Sequence, residues 1–358
     1  MLGSFDLKKI IPPLLTWFEN NRRILPWREE PTPYRVWISE IMLQQTRVQA
    51  VLPYFERFLK ALPGVKELAE CEEDRLLKLW EGLGYYNRAK NLKRAAEAVS
   101  EQYDGELPDD ADALLRLPGI GPYTAGAILS IAYNNPYPAV DGNVMRILTR
   151  VSADPTDITK PAFRKKMEDC LKPFYFQYPP SKLTQALMEL GATVCAPNGA
   201  PHCLSCPWNW ACLSHRNGEE EHYPVKAPKK ARRVEMRTIL LIRDGERFVL
   251  RKRPEKGLLA GLYELPGLNG HASKEDILSA VRGYGFSPLK LEELGQARHI
   301  FSHVEWDMTG YMIRIEETEK APDGLFLVEI EESEKRFPVT SAFSYYMKSL
   351  QGENSGKR

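Results

Sequence analysis

The stretch that decides the fold reads LPGIGPYTAGAILSIAYNNPYPAVDGNV, residues 117–144. Gly119 and Gly121 bracket a single residue, and Pro122 follows, where its missing N–H suits the first turn of a helix. We expect a small-residue, buried helix over residues 123–133. A glycine turn that leads into a helix N-terminus exposes backbone N–H groups, which predicts a site for a phosphate oxygen. A plain helix–helix connector is the alternative.

Two carboxyl side chains stand out around this stretch. Asp141 lies twenty residues after Gly121, just before the helical run NVMRILTRV. It suits a helix N-cap, but a carboxylate held near a bound phosphate also predicts chemistry on a sugar of nucleic acid. Glu40 lies among apolar residues of an amphipathic helix, in the run WISEIML. Either it marks the solvent edge of that helix, or it is a buried proton donor with a raised pKa.

Three further residues are candidates for contacts with nucleic acid. Arg28 ends the basic, aromatic loop NRRILPWR, which can equally contribute to the core. Gln45 is a polar group able to enter a base stack, and Tyr85 follows the glycine turn Gly82-Leu83-Gly84 as a candidate wedge. A packed helical corner is the alternative for the glycine turn.

Four of the six cysteines are clustered as Cys195-x7-Cys203-x2-Cys206-x5-Cys212. We expect neither a signal peptide nor a membrane span at the N-terminus, and such clusters outside export pathways indicate metal rather than disulfides. Zinc ribbons usually have two Cys-x2-Cys pairs and this chain has one, which favours an iron–sulfur cluster over zinc. The cluster can have a purely structural role, in shaping its loop.

The length of the chain and a change in its sequence pattern predict two domains. With 358 residues, 43% of them apolar, and a net charge of +1, the chain has ample core material and no global basic field, so any nucleic-acid surface must be local. Helical patterns fill residues 7–212 without a strand signal. Period-two strands begin beyond an interdomain linker at 214–234, with a hairpin at Asp244-Gly245, and residues 273–284 and 339–350 read as helices. We therefore predict domains at 1–213 and 235–351.

One cluster in the second domain is a candidate reader of a base. The segment His299-Ile300-Phe301-Ser302-His303 lies on a strand or at its exit. Its aromatic ring, hydroxyl and imidazole are able to stack on a base and to form hydrogen bonds with it. Ordinary strand residues are the alternative.

Taken together, these stretches resemble the adenine-specific enzymes of the helix-hairpin-helix DNA glycosylase superfamily, over nearly the whole chain. The matching runs, besides the cysteine loop and FSH at 301–303, are LPWR at 25–28, WISEIMLQQTRV at 37–48, WEGLGYYNRAKNL at 80–92, LPGIGPYTAG at 117–126, AVDGNVMRILTR at 139–150 and ALMELGATVC at 186–195. The resemblance implies an all-α, two-lobed glycosylase core with a 4Fe–4S cluster on the four cysteines. It also implies a C-terminal α+β domain, similar to Nudix hydrolases, that recognises 8-oxoguanine.

The resemblance also implies a reaction and a set of catalytic residues. Adenine mispaired with 8-oxoguanine or guanine would be excised from double-stranded DNA, with Glu40 as the acid and Asp141 as the ionised partner. Asn143 and Tyr123 would support them. Gly119 and Gly121, the glycines of the helix-hairpin-helix turn, and the residues of FSH would contact DNA. Superfamily members similar to endonuclease III carry at position 123 a lysine that forms a Schiff base and cuts the strand. Tyr123 therefore implies a monofunctional glycosylase.

Two departures from the pattern matter. The first cysteine interval is one residue longer than the six usual in the family, which implies a bulged loop. The C-terminal domain starts like a Nudix fold, GLLAGLYELPG at 257–267, but lacks the Arg-Glu-x-x-Glu-Glu metal helix, so it should bind and not hydrolyse. The alternatives are a bifunctional endonuclease III-like glycosylase and a non-catalytic DNA-binding or redox iron–sulfur protein. We expect a monomer in the cytoplasm, associated with the nucleoid if bacterial, and no membrane contact.

Overall fold

The computed structural model describes residues 6–197, 199–228 and 231–351. This described part of the chain folds as two compact units. The first is built from the segments before Cys71 and between Asn91 and Pro228, and the second from residues 71–90 together with the C-terminal part of the chain.

The first unit is helical. The α-helices up to residue 217 are α1 (Leu7–Asn21), α2 (Pro26–Glu29), α3 (Pro33–Leu43), α4 (Val48–Ala61), α5 (Val65–Glu70), α6 (Glu73–Leu79), α7 (Asn87–Gln102), α8 (Ala111–Arg116), α9 (Pro122–Ala127), α10 (Gly142–Ser152), α11 (Pro161–Tyr175), α12 (Pro180–Thr193) and α13 (Leu213–Asn217). Of these, α6 and the start of α7 belong to the second unit, and the others to the first. The absence of strands predicted for residues 7–212 holds for all of those residues that the structure describes.

Helices α1, α10, α11 and α12 share one core. Helix α1 begins at the N-cap Asp6, whose carboxylate accepts from the Lys8 N–H at 3.2 Å, and it buries Ile10, Leu14 and Phe18 along one face. These side chains pack with apolar residues of the other three helices, among them Ile147. The core therefore fixes the positions of α10 and α12, which carry site residues described below.

The predicted glycine turn joins α8 to α9. Pro122 is the first residue of α9, as expected, and a π-helical turn, Ile128–Ala132, continues it. Gly126 packs so closely that a Cβ there would lie 2.4 Å from the Pro138 carbonyl oxygen. This close approach brings the segment before α10 against α9. The start of α10 therefore lies near α9.

The second unit contains a mixed sheet with flanking helices. Its strands and remaining helices are β1 (Arg233–Asp244), β2 (Arg247–Lys252), β3 (Tyr263–Glu264), β4 (Gly267–Asn269), β5 (Pro288–Ile300), β6 (Val304–Ile315), β7 (Leu325–Glu329), α14 (Lys274–Gly283), α15 (Ile330–Arg336) and α16 (Ser344–Gln351). The strand order is β3-β2-β1-β6-β5, with β4 also paired to β1 and β7 to β2. Strands β1 and β6 are parallel, and the other pairs are antiparallel.

The sheet buries both faces, each with its own core. On one face Ile277 and Val281 of α14 pack against Leu240 and Ile313. On the other, Trp306 packs with residues that include Phe343 and Tyr346 of the C-terminal segment. The predicted hairpin at Asp244-Gly245 is present, and Gly245 has the positive φ of +58° that such a turn needs.

Two segments differ from the predicted division of the chain. Residues 214–234 are not simply a linker, because α13 covers residues 213–217 and packs against α10, while β1 begins at Arg233. Residues 71–90, placed by sequence in the helical domain, make their contacts with the C-terminal unit. In the described part of the chain, every helix is too short or too polar to cross a membrane.

Candidate active site

Glu40 lies on α3 and is buried, with 6% of its surface exposed. Burial raises the pKa of its carboxyl from 4.5 to about 7, the nearby charge of Asp141 also raises it, and a hydrogen bond from Tyr123 together with the charge of Arg28 lowers it. Of the two alternatives that the sequence left open, the buried carboxyl with a raised pKa is the one found. A group with such a pKa can hold a proton and release it near neutral pH.

Tyr123 bonds one of the two carboxyl groups and lies within the electrostatic influence of the other. It is the second residue of α9, and its hydroxyl donates a hydrogen bond to Oε2 of Glu40. Burial raises the pKa of Tyr123 well above 10, and the charges of Glu40 and Asp141 raise it further. The phenol therefore stays neutral and acts as a donor. Groups from α3, from α9 and from the N-cap of α10 are thus close enough to influence one another's ionisation.

Asp141 is both an N-cap and a candidate catalytic group. Its Oδ1 accepts from the Val144 N–H at 2.7 Å and its Oδ2 from the Asn143 side-chain amide at 2.7 Å. Burial raises the pKa of Asp141, while these two bonds and the charge of Arg146 lower it. Because its two donors stabilise the ionised form and Glu40 has only the Tyr123 hydroxyl, the arrangement favours the proton on Glu40 and the charge on Asp141.

Asn143 is held from two sides. Its side-chain oxygen accepts from Nη2 of Arg146 at 2.8 Å, and Arg146 also donates to the carbonyl oxygens of Gly191 and Cys195, both at 2.8 Å. A Cβ at position 191 would lie 2.6 Å from the Asn143 Cβ, so only glycine allows α10 and α12 to approach this closely. The amide that bonds Asp141 is therefore fixed by packing as well as by hydrogen bonds.

Arg28 does not lie on an open surface, where a contact with DNA would need it. Only 11% of its side chain is exposed, and its Nη2 donates to Oε2 of Glu189 at 2.8 Å. Arg23 donates to both oxygens of the same carboxylate at 2.8 Å. Burial acts to raise the pKa of Glu189, but the hydrogen bonds from Arg23 and Arg28 outweigh it and hold that pKa at about 2. Arg28 is a fixed cation near Glu40, whose pKa it lowers.

Sequence reasoning missed Glu189 and Arg146. Glu189 is fully buried in the run ALMELGATVC, and Arg146 is 6% exposed in NVMRILTR. A charged residue inside an apolar helical run was the signal that pointed to Glu40, and the same signal was present for both. Apart from Asn143, which bonds Arg146, their partners lie far away in the sequence, so spacing gave no indication of what they bind.

The hairpin glycines differ in their backbone. Gly119 has a φ of +78°, and a Cβ there would lie 2.7 Å from the Asn91 Cβ, whereas Gly121 is the N-cap of α9 with a φ of −97°. Both are exposed, while Ile120 between them is 5% exposed. The turn thus anchors itself through one apolar side chain and leaves its two glycines open to a partner.

The four clustered cysteines line one small cavity, together with Arg150, His215 and Glu220 among others. The pKa of Cys203 is raised to about 11, by burial first and then by Glu220 and the neighbouring thiols, and that of Cys206 to about 12, mainly by burial. Such thiols ionise when a cation is bound between them, so the donor set fits a thiolate-ligated metal group. The bulge predicted in the first interval includes residue 198, which lies outside the described residues.

Known protein families match both parts of the chain. Residues 38–173 match the model of the HhH-GPD superfamily base excision DNA repair protein, and residues 238–348 match the NUDIX domain. The adenine DNA glycosylase of Buchnera aphidicola subsp. Acyrthosiphon pisum is 35% identical over 84% of this chain and 85% of its own length.

The chain belongs to the adenine DNA glycosylase family. The adenine DNA glycosylase of Arabidopsis thaliana is 37% identical over 85% of this chain, and the chain spans 57% of that relative's length. A solved thermostable thymine-DNA glycosylase is 26% identical, with a TM-score of 0.52 over 59% of this chain and 96% of its own. The predicted family, the class of DNA N-glycosylase acting on adenine, and the pairing of a helical core with a Nudix-like domain are confirmed.

The FSH segment, residues 301–303, which is predicted to contact the base opposite adenine, lies in the second unit. Residues 301–303 form the turn between β5 and β6, closed by a hydrogen bond from the Phe301 N–H to the Val304 carbonyl at 2.8 Å. Ser302 and His303 are exposed. The Phe301 ring instead packs edge-on against Trp306, with centroids 4.9 Å apart, and so anchors the turn to the core.

Gln45 and Tyr85 share an unusual backbone conformation. Gln45, in the first unit, has a φ of +60°, and Tyr85, in the second, has a φ of +49°. Both are exposed. Left-handed backbone at residues with a Cβ is strained and is found preferentially at functional sites, which supports both as candidates for contact with DNA.

Proposed function

We propose that the protein releases adenine paired with 8-oxoguanine or guanine from double-stranded DNA, without cutting the strand. The observation that carries the proposal is the Glu40–Tyr123 hydrogen bond within the electrostatic influence of Asp141, with a proton favoured on Glu40 and a charge on Asp141. Two carboxyl groups with opposite protonation states are the pattern of glycosidic bond cleavage.

The first step is protonation of the leaving base. The target nucleotide leaves the base stack so that its C1′–N9 bond is accessible. Glu40 gives its proton to N7 of adenine, which weakens the C1′–N9 bond. The electron pair of that bond stays with the base, which departs as neutral adenine, and the deoxyribose becomes an oxocarbenium-like cation.

The second step is capture of that cation. The carboxylate of Asp141 stabilises it, either electrostatically or by forming a transient bond to C1′, as in retaining glycosidases. Asn143 and the Val144 N–H hold Asp141 at a fixed angle for this role. Water then adds its oxygen to C1′ and loses a proton, which leaves an abasic site.

Tyr123 determines that the strand stays intact. A Schiff base with C1′ needs a primary amine, and the residue at this position of the hairpin is a phenol bonded to Glu40. Its raised pKa keeps it a neutral donor rather than a nucleophile. The reaction therefore ends at the abasic product, and the bifunctional alternative has no side chain to support it at this position.

Sequence-independent affinity is assigned to the hairpin, and discrimination of the opposite base to the second unit. The exposed Gly119 and Gly121 suit a phosphate oxygen, which positions the strand but reads no sequence. 8-Oxoguanine carries a hydrogen on N7 where guanine has an acceptor. The exposed Ser302 hydroxyl and His303 imidazole are able to accept that hydrogen bond.

The four cysteines are assigned to a 4Fe–4S cluster. Cys195, Cys203, Cys206 and Cys212 face one cavity, and the Arg150 guanidinium lies 3.3 Å from the Cys195 sulfur, where it would stabilise a thiolate. When bound, the cluster would crosslink the loop. Arg146 joins this loop to Asn143 through the Cys195 carbonyl. We further propose that the protein acts as a monomer in the cytoplasm.

The direct test is an assay of adenine release with and without alkali. A duplex with adenine opposite 8-oxoguanine should be cleaved only after alkali, because the product is an intact strand with an abasic site. Borohydride should trap no covalent complex. Cleavage without alkali together with trapping would show the bifunctional alternative, and no adenine release from any mispair would reject the enzyme assignment.

A further inference from the structure

The turn that presents Tyr85 has an unusual backbone. It lies between α6 and α7 in the second unit, and Gly82, Gly84 and Tyr85 have φ values of +98°, +70° and +49°. Three left-handed residues within four positions make a tight protrusion. Because Tyr85 carries a Cβ, its conformation needs support from neighbouring groups.

Arg88 supplies that support through hydrogen bonds and ring contacts. Its Nη2 donates to the carbonyl oxygens of Leu83 and Gly84, both at 3.1 Å, and Trp80 donates to the Gly84 carbonyl at 3.1 Å. The guanidinium carbon lies 5.4 Å from the centroid of the Trp80 ring and 5.5 Å from that of Tyr85, within the range of cation–π attraction. The planar guanidinium thus contacts the turn through its backbone and through its aromatic side chain.

Ser302 holds the other end of the Tyr85 ring. The Tyr85 hydroxyl and the Ser302 hydroxyl form a hydrogen bond of 3.0 Å. Nevertheless, 48% of Tyr85 is exposed. The Tyr85 side chain is thus held through the backbone of its turn and through its hydroxyl, yet it stays exposed. An aromatic ring held in this way suits stacking against a nucleobase.

The segment that carries Tyr85 is fixed to the C-terminal part of its unit. Asp74 on α6 accepts from the Tyr263 hydroxyl at 2.9 Å and from Lys252 at 2.8 Å. Lys78, one turn further along α6, donates to the Phe337 carbonyl at 3.2 Å. These contacts keep Tyr85 and Ser302 in one folded body, although 217 positions separate them in the sequence.

We propose that Arg88 is a positioning residue for recognition of the base opposite the adenine, acting by setting the Tyr85 ring against Ser302. This inference rests on the proposed function, since it assigns the reading of 8-oxoguanine to the second unit. Arg88 itself is partly buried and donates to the carbonyl oxygens of the turn. It therefore controls preference for the opposite base through Tyr85 rather than by touching that base.

The obvious alternative is that Arg88 binds a DNA phosphate as a surface cation. Its burial, which lowers the pKa of Arg88 to about 10, and its hydrogen bonds to two carbonyl oxygens both favour the positioning role. The two roles make different predictions, because a phosphate contact weakens binding to all sequences alike and a positioning role changes the choice of opposite base.

The experiment measures single-turnover adenine release opposite 8-oxoguanine and opposite guanine, for the wild type and for Arg88→Lys. Lysine keeps the charge but not the planar group that bonds two carbonyls and stacks on two rings. We expect the ratio of the two rates to fall by about tenfold, with the salt dependence of binding to unmodified duplex unchanged. Arg94→Lys, an exposed position six residues along α7, is the matched control and should keep the ratio.

A double-mutant cycle completes the test. If Arg88 acts through Tyr85, Arg88→Lys should lower the ratio no further in a Tyr85→Leu background. An unchanged ratio in Arg88→Lys would overturn the proposal, as would additive effects of the two substitutions on the ratio. So would a salt dependence of DNA binding that weakens in Arg88→Met by the amount expected for about one lost phosphate contact. Failure of the proposed function looks different, because the wild type itself would then release no adenine or show no preference.

Discussion

At the scale of single residues, the chemistry depends on how the protein distributes one proton between Glu40 and Asp141. Both carboxyl groups have pKa values raised by burial. They differ in their hydrogen-bond donors, since Asp141 receives a backbone N–H and an amide whereas Glu40 receives the Tyr123 hydroxyl. The neutral phenol therefore does two things: it fixes Glu40 in place, and it lowers a pKa that burial raises.

The raised pKa of Glu40 predicts the pH dependence of the reaction. Its acid form is present below its pKa, so the rate of adenine release should fall as pH rises through about 7. The hydrogen bond from Tyr123 lowers that pKa. In Tyr123→Phe the fall should therefore move to higher pH, which single-turnover rates between pH 5 and 9 would show. A fall that moves to lower pH, or a flat profile in the wild type, would contradict the assignment of Glu40 as the acid.

At the scale of elements, the turn between α8 and α9 contains two glycines, and only one of them has a backbone conformation that requires glycine. Gly119 has a positive φ and no room for a Cβ beside the Asn91 side chain, whereas Gly121 has an ordinary φ and open space where a Cβ would be. The shared Gly-x-Gly pattern thus combines two different requirements. Conformation explains the first glycine, whereas the phosphate contact proposed above is the role assigned to the second.

We expect Gly119→Ala to lower the free energy of unfolding by about 1–3 kcal/mol, because alanine is strained at a φ of +78° and its methyl group would press on Asn91. Gly121→Ala is the matched control and should change it by no more than about 0.5 kcal/mol. Urea unfolding followed by circular dichroism measures both. Equal losses in the two variants would show that the turn is not held in the conformation described here.

The elements were largely predictable because their signals are local. Pro122 at the start of a helix, Asp244-Gly245 in a hairpin and the apolar face of α1 follow from neighbouring residues alone. Glu189 and Arg146 could not be assigned in this way. Each is explained by partners brought together by packing: Glu189 by two arginines more than 160 positions away, and Arg146 by the close approach of α12 at Gly191.

At the scale of the whole molecule, the groups assigned to excision and those assigned to reading the opposite base belong to different compact units. Glu40, Tyr123 and Asp141 lie in the first unit, whereas Tyr85 and Ser302 lie in the second. The sequence could not show that residues 71–90 belong with the second unit, because their helical pattern continues that of their neighbours. Their partners are polar groups such as Tyr263 and Lys252, far along the chain.

This division predicts that discrimination can be lost while excision is kept. Ser302→Ala combined with His303→Ala should remove most of the preference for 8-oxoguanine over guanine, with adenine still released from both mispairs. Phe301 is left unchanged because it anchors the turn against Trp306. The measurement is the ratio of single-turnover rates, with Ser344→Ala, an exposed serine of the same unit, as the control. A preserved ratio would place the reading of the base elsewhere.

The most direct test of the account is single-turnover adenine release by Glu40→Gln and by Asp141→Asn, from a duplex with adenine opposite 8-oxoguanine. Both substitutions keep the size of the side chain, and they remove the transferable proton in one case and the negative charge in the other. We expect each to slow adenine release by about 10²–10⁴-fold, with the duplex still bound. Release within a fewfold of the wild-type rate in either variant would contradict the claim that these two carboxyl groups carry the reaction.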